Sequence, residues 1–125
     1  MIKVSEEQYP IIKQFISRAP TFVYSILDRM IEGAVYSDTA AFQTLLFHTK
    51  SGIYYVYGNE NKTSIDYQLA YCLQQAIEQQ KRFTLFSYSE QWNTKIEHLH
   101  LMKIFIIIER SMGNVITKSN LLLNP

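Results

Sequence analysis

The sequence predicts an α+β fold, a mainly antiparallel sheet with helices on both faces and the element order ααβββαβαβ. Three observations carry this expectation. Apolar residues recur at helical spacing as far as Met30, alternation replaces that spacing between residues 34 and 57, and one long amphipathic stripe starts at Thr63. A length of 125 residues matches one ordinary domain, 1–125, with a tail at 117–125 that reads as a linker.

The elements follow in order. Ser5 with Gln8 has the form of a capping box, ahead of Tyr9, Ile12, Phe15 and Ile16 at helical spacing. Pro10 falls within the first turn of that helix, where a missing N–H is tolerated. Pro20 opens a second helix with Phe22, Val23, Ile26, Leu27 and Met30 on one face, and Gly33 is placed to end it in the left-handed conformation. Ala34-Val35-Tyr36 reads as a strand, Gln43 to Thr49 as a second, and Ile53-Tyr54-Tyr55-Val56-Tyr57 as a third, entered through the turn Lys50-Ser51-Gly52. Gly58 to Lys62 is a loop. The helix from Thr63 carries Ile65, Leu69, Cys72, Leu73, Ala76 and Ile77 on one side, with Gln and Glu opposite. Phe83 to Ser87 is a strand, Ser89 caps a short helix bearing Trp92 and Ile96, and Leu101 to Glu109 is an apolar strand. Val115 to Thr117 could return as a weak last strand.

Bulk properties exclude several function classes. Hydrophobic residues make up 47% of the chain, too many for a disordered protein. Twelve basic residues oppose eleven acidic ones, so no electrostatic case exists for nucleic acid or an anionic membrane. The first seven residues hold no signal-peptide core, and Ile104 to Ile108 is far below the ~20 apolar residues of a membrane span. A single cysteine, Cys72, excludes an internal disulfide and fits a reducing cytoplasm as a buried thiol.

Chemistry-bearing constellations are sparse. His98-x-His100 and His48 match no zinc spacing, so no metal site is expected. Neither a nucleophile elbow, nor a P-loop, nor a dinucleotide fingerprint is present. Asp38, Glu97 and Glu109 are the carboxylates considered as general bases; no motif marks them and no catalytic role is assigned. Tyr54 faces one side of its strand and Tyr55 and Tyr57 the other, which suits a ligand cleft, a subunit interface or half-buried packing.

The stretches Pro20 to Asp38 (PTFVYSILDRMIEGAVYSD), Ile53 to Gly58 (IYYVYG) and Phe83 to Trp92 (FTLFSYSEQW) carry a family resemblance. They are similar to the amino-terminal region of a bacterial family of GNAT-type acetyltransferases of roughly twice this length. The matching positions are Ser25-Ile26-Leu27, Gly33 and Val35-Tyr36-Ser37-Asp38, and the element order lacks only the usual first strand. In such enzymes the resemblance places acetyl-CoA pyrophosphate on backbone N–H groups at the start of the long central helix, reached through a glycine-rich loop. Here that junction runs Tyr57-Gly58-Asn59-Glu60-Asn61-Lys62-Thr63-Ser64, with one glycine and a carboxylate where the pyrophosphate would rest. Two readings follow. Lys62, Thr63 and Ser64 form a degenerate anion loop, or the segment is a polar loop with a Thr or Ser helix cap. The resemblance implies acetyl-CoA as the only candidate cofactor and a second GNAT domain as partner, while exposed strand edges around Leu101 to Glu109 suit pairing with a second copy of the chain. It leaves three functions open: a binding or assembly module without a competent acetyl-CoA site, a minimal N-acetyltransferase with a diverged loop, and a homodimeric structural protein.

Overall fold

The computed structural model describes residues 1–100 and 114–117. Among them, six strands form one sheet whose spatial order follows chain order: β1 (Ile2–Lys3), β2 (Gly33–Ser37), β3 (Thr44–Thr49), β4 (Ile53–Gly58), β5 (Thr84–Ser87) and β6 (Asn114–Thr117). Every pairing is antiparallel except β4 with β5, which run parallel. A parallel pair needs a crossover, and the helix α3 (Thr63–Glu78) supplies it. β1 is the first strand that the sequence reading lacked; two residues are too few to show an alternation.

Helices α1 (Tyr9–Phe15) and α2 (Thr21–Leu27) precede the sheet's main hairpins. The expected capping box does not form. Ser5 offers no side-chain bond, and its carbonyl instead accepts the Gln8 N–H at 3.0 Å, closing a 3₁₀ turn over Glu6–Gln8. Pro10 sits in the first turn of α1 and Pro20 directly precedes α2, as their fixed φ favours.

Gly33 does not end α2. The left-handed residue is Arg29, at φ 56°. Around it Met30 N–H reaches the Ser25 carbonyl and Arg29 N–H the Ile26 carbonyl, both at 2.9 Å, a Schellman closure. Met30 is therefore outside the helix and 78% exposed, not on its buried face. Gly33 begins β2, where a Cβ would stand 2.7 Å from the His48 carbonyl oxygen. Close packing explains this glycine, not helix termination.

Alternation sorts the strand side chains into two cores, one on each face of the sheet. Val35, Leu45, Phe47 and Tyr55 meet Tyr9, Ile12, Val23 and Ile26 from α1 and α2. Leu46, Tyr54, Val56 and Leu85 meet Ile65, Leu69, Cys72, Leu73 and Ala76 of α3, together with Trp92 and Ile96 of α4 (Glu90–His100). The α3 stripe is thus the one expected, save that Ile77 is 42% exposed. Ser89 Oγ accepts the Trp92 N–H at 2.9 Å, which makes it the expected start of α4. The strand expected at Leu101 to Glu109 lies outside the described residues. No helix among the described residues is long and apolar enough to cross a membrane.

Candidate functional site

The carboxyl ends of parallel strands are where α/β sheets open crevices for ligands. Here the one parallel pair is registered from Ile53↔Thr84 to Tyr55↔Phe86. β4 continues to Gly58, so its last residues run past that register beside the start of α4. A crevice of about 170 Å³ lies there, bordered by Tyr55, Tyr57, Tyr88, Arg18 and Trp92. Tyr55 and Tyr88 meet edge to face at 5.6 Å, and burial pushes the Tyr55 hydroxyl's pKa well up, with Tyr88 adding to the shift. Tyr57 donates its hydroxyl to the Phe15 carbonyl at 3.3 Å, tying β4 to the end of α1.

Trp92 closes the floor of this crevice. Its indole is 1% exposed and donates Nε1–H to the Gly58 carbonyl at 2.9 Å. Three residues further along α4, Lys95 Nζ reaches the Glu60 carbonyl at 2.7 Å and stands 2.8 Å from Asp66 Oδ1, an ion pair without hydrogen-bond alignment. Helix α4 therefore grips both sides of the β4–α3 loop. Gly58 itself needs the absence of a side chain: its φ is +99°, and a Cβ would stand 2.1 Å from the Gln43 carbonyl oxygen.

The loop that the sequence singled out is held from its other side as well. Asn59 N–H bonds Gln43 O at 2.8 Å, Asn61 N–H bonds Asn59 Oδ1 at 2.8 Å, and the Thr44 hydroxyl donates to the Asn59 carbonyl. The alternative of a Thr or Ser cap is overturned. Lys62 occupies the capping position with no side-chain cap bond, so Thr63 and Ser64 are the first helical residues. Lys62, Thr63 and Ser64 thus lie together at the start of a 16-residue helix that has no side-chain cap, with Ile65 N–H on the Lys62 carbonyl at 3.3 Å. The Lys62 ammonium, however, is 3.7 Å from Asp38 Oδ2.

Asp38, considered above as a base, is structural. Its Oδ1 accepts the Thr44 N–H at 2.8 Å and the Ser37 hydroxyl at 3.4 Å, stapling the β2–β3 turn. Its side chain is 3% exposed, out of reach of a substrate amine. Glu97, His98 and His100 lie on α4, but their side chains fall outside the described residues, as does Glu109 entirely. Among the described residues, no group of three or more His, Cys, Asp and Glu could hold a metal. Cys72 is buried among the α3 core residues, and burial raises its thiol's pKa. Trp92 is the core anchor that its place on a short helix suggests, but its bond to the Gly58 carbonyl and the role of Lys95 were not legible in the sequence. The spacing of these two residues with Ile96 marks one helical face, but only the fold brings Gly58 and Glu60 beneath it.

Acetyl-CoA fits this site in part. The start of α3 offers uncapped donors to phosphate. The crevice beyond Gly58, by contrast, is smaller than the roughly 300–1,000 Å³ of small-molecule sites and is floored by Trp92.

No family model matches the chain. It is similar to the uncharacterized N-acetyltransferase YdfB of Bacillus subtilis (strain 168), with 42% identity over 79 residues, 62% of this chain. The chain spans about 30% of the length of that curated relative. With the mixed α/β architecture, this similarity supports the resemblance to the amino-terminal region of a GNAT-type acetyltransferase that Ser25-Ile26-Leu27, Gly33 and Val35-Tyr36-Ser37-Asp38 first carried.

Proposed function

We propose that the chain is an acetyltransferase-related domain that transfers no acetyl group itself and serves as an assembly module for a second GNAT-type domain. The observation that carries this reading is Trp92, seated at the carboxyl ends of the two parallel strands with its indole on the Gly58 carbonyl. The bonds on Asn59, Glu60 and Asn61 support it, because a loop already spoken for is a poor cradle for pyrophosphate. A partner face is available on α3, where Tyr67 and Tyr71, one turn apart, are 74% and 60% exposed. Tyrosine is enriched at protein interfaces.

The second reading, a minimal N-acetyltransferase with a diverged loop, draws on the uncapped start of α3 and on the tyrosines that border the crevice. Thermal unfolding with millimolar acetyl-CoA separates the two, with desulfo-CoA and adenosine phosphates as comparators. The expected result is that acetyl-CoA gives no larger shift than these comparators. A ligand at about 100 times its Kd stabilises by about 2.7 kcal/mol, several degrees for a chain of this size. A saturable, acetyl-dependent shift of that order that vanishes in Lys62→Glu would overturn the assembly reading and restore the enzyme.

A further inference from the structure

A second cavity, of about 250 Å³, lies between α3 and the sheet at the opposite end of β4 from Gly58, where the strand begins. Its sheet side is aromatic, and α3 adds the uncharged polar side chains of Gln68, Gln75 and Gln79. Tyr36 and Tyr54 come from the sheet, His48 stacks on Tyr54 with ring centroids 4.2 Å apart and planes 9° apart, and Tyr71 stands on the helix side. Its mouth is cationic, formed by Lys50 from the β3–β4 turn and by Lys81 and Arg82 from the α3–β5 loop. Among the described residues, no carboxylate lines it.

Two backbone devices build this mouth. Gly52, at φ +93°, lies so close to the second loop that a Cβ would stand 2.1 Å from the Arg82 carbonyl oxygen, and its own carbonyl accepts the Thr84 N–H at 3.0 Å. The two cation-bearing loops are therefore locked together. At the end of α3, Lys81 N–H bonds Ala76 O at 2.8 Å and Gln80 N–H bonds Ile77 O at 3.2 Å. These bonds close the last turn of α3 and fix where Lys81 leaves the helix.

The three cations are not equally committed. Lys50 pairs with Glu32 at 3.2 Å. Among the described residues Arg82 spends only Nε, on Thr84 Oγ1 at 3.1 Å, with its terminal nitrogens forming a fork suited to a carboxylate. Lys81 meets no acidic partner among the described residues; the charge it acts on is His48, whose pKa burial and Lys81 both lower. A neutral imidazole and protonated phenols make the interior uncharged, so a ligand's negative charge belongs at the mouth and its ring inside.

We propose that this cavity binds a small aromatic carboxylate, its ring among Tyr36, His48 and Tyr54 and its carboxylate on Lys81 and Arg82. The volume, about eight waters at ~30 Å³ each, admits a single ring and little more. This site is independent of the acetyl-CoA reading, because it lies at the other end of β4.

The test is a titration of the ¹⁵N-labelled chain with 4-hydroxybenzoate, beside neutral 4-hydroxybenzyl alcohol and inorganic phosphate. Saturable amide shifts are expected at Gly52, Cys72, Lys81 and Arg82, at roughly millimolar affinity for so small a ligand. They should weaken about tenfold or more in Lys81→Gln and in Arg82→Gln, and stay unchanged in Lys62→Glu; both mouth residues are exposed, so the variants keep the fold. The proposal is overturned by any of three results: no saturation, equal binding of the alcohol or of phosphate, or shifts centred on Lys62 to Ile65.

Discussion

At the scale of single residues, strain and burial make two predictions. Gln80 ends α3 in the left-handed conformation, at φ 54°, where a side chain costs energy that glycine does not. Gln80→Gly should therefore stabilise the fold by about 0.5–1 kcal/mol, read as a higher urea midpoint at unchanged slope. His48 makes the second. Burial first, and Lys81 second, hold its imidazole pKa below the ordinary value of about 6.5. Below that value the unfolded imidazole takes up a proton that the folded one resists, so the unfolded state binds more protons. The His48 contribution is then fully present above about pH 6.5 and is lost as pH falls toward the depressed folded pKa. The urea midpoint should hold above about pH 6.5 and drop as pH falls below it. His48→Phe should flatten that slope; a slope unchanged in the variant would place the titration elsewhere, with Lys50, Lys81 and the phenols facing the ring as the other charges to consider.

At the scale of elements, the two glycines with positive φ act as clamps between neighbouring chain segments. Gly58→Ala and Gly52→Ala each bring a methyl to 2.1 Å from a backbone carbonyl oxygen, which no rotamer can relieve. Each should cost about 2–4 kcal/mol, measured as loss of chemical stability. A cost near zero would mean that the loops part freely. Much at this scale was legible in the sequence. The α3 stripe was, because Ile65, Leu69, Cys72, Leu73 and Ala76 fall on one face and all five are buried. So were β3 and β4, rich in β-formers on both sides of Lys50-Ser51-Gly52. The end of α2 was not, because a Schellman closure on Arg29 leaves no glycine to read, while Gly33 looked like one and serves packing. The α4 grip was hidden for a different reason: Trp92 and Gly58 are 34 residues apart, and no local pattern links a tryptophan to a distant carbonyl.

For the whole molecule, the question is what α3 faces outward. Tyr67 and Tyr71 leave large aromatic surface in water on an otherwise polar helix side. If the partner is a second GNAT-type domain, the isolated chain should scatter light as a monomer of 14.7 kDa. A doubled mass that returns to monomer in Tyr71→Glu would instead favour the homodimer. Among the described strands none is displaced from its chain neighbours, an order that no local pattern in the sequence reveals. The crevice and its closure could be placed only once the parallel register of β4 and β5 was known.

That spatial order has a consequence in time. Among the described strands spatial order equals chain order, so each docks beside the described strand that precedes it. The β2–β3–β4 hairpins close over turns of a few residues and can form early, whereas the β4–β5 pair must await a folded α3. A chain emerging from the ribosome can thus lay down β1 to β5 in a single direction, with the α3 crossover as the slow step.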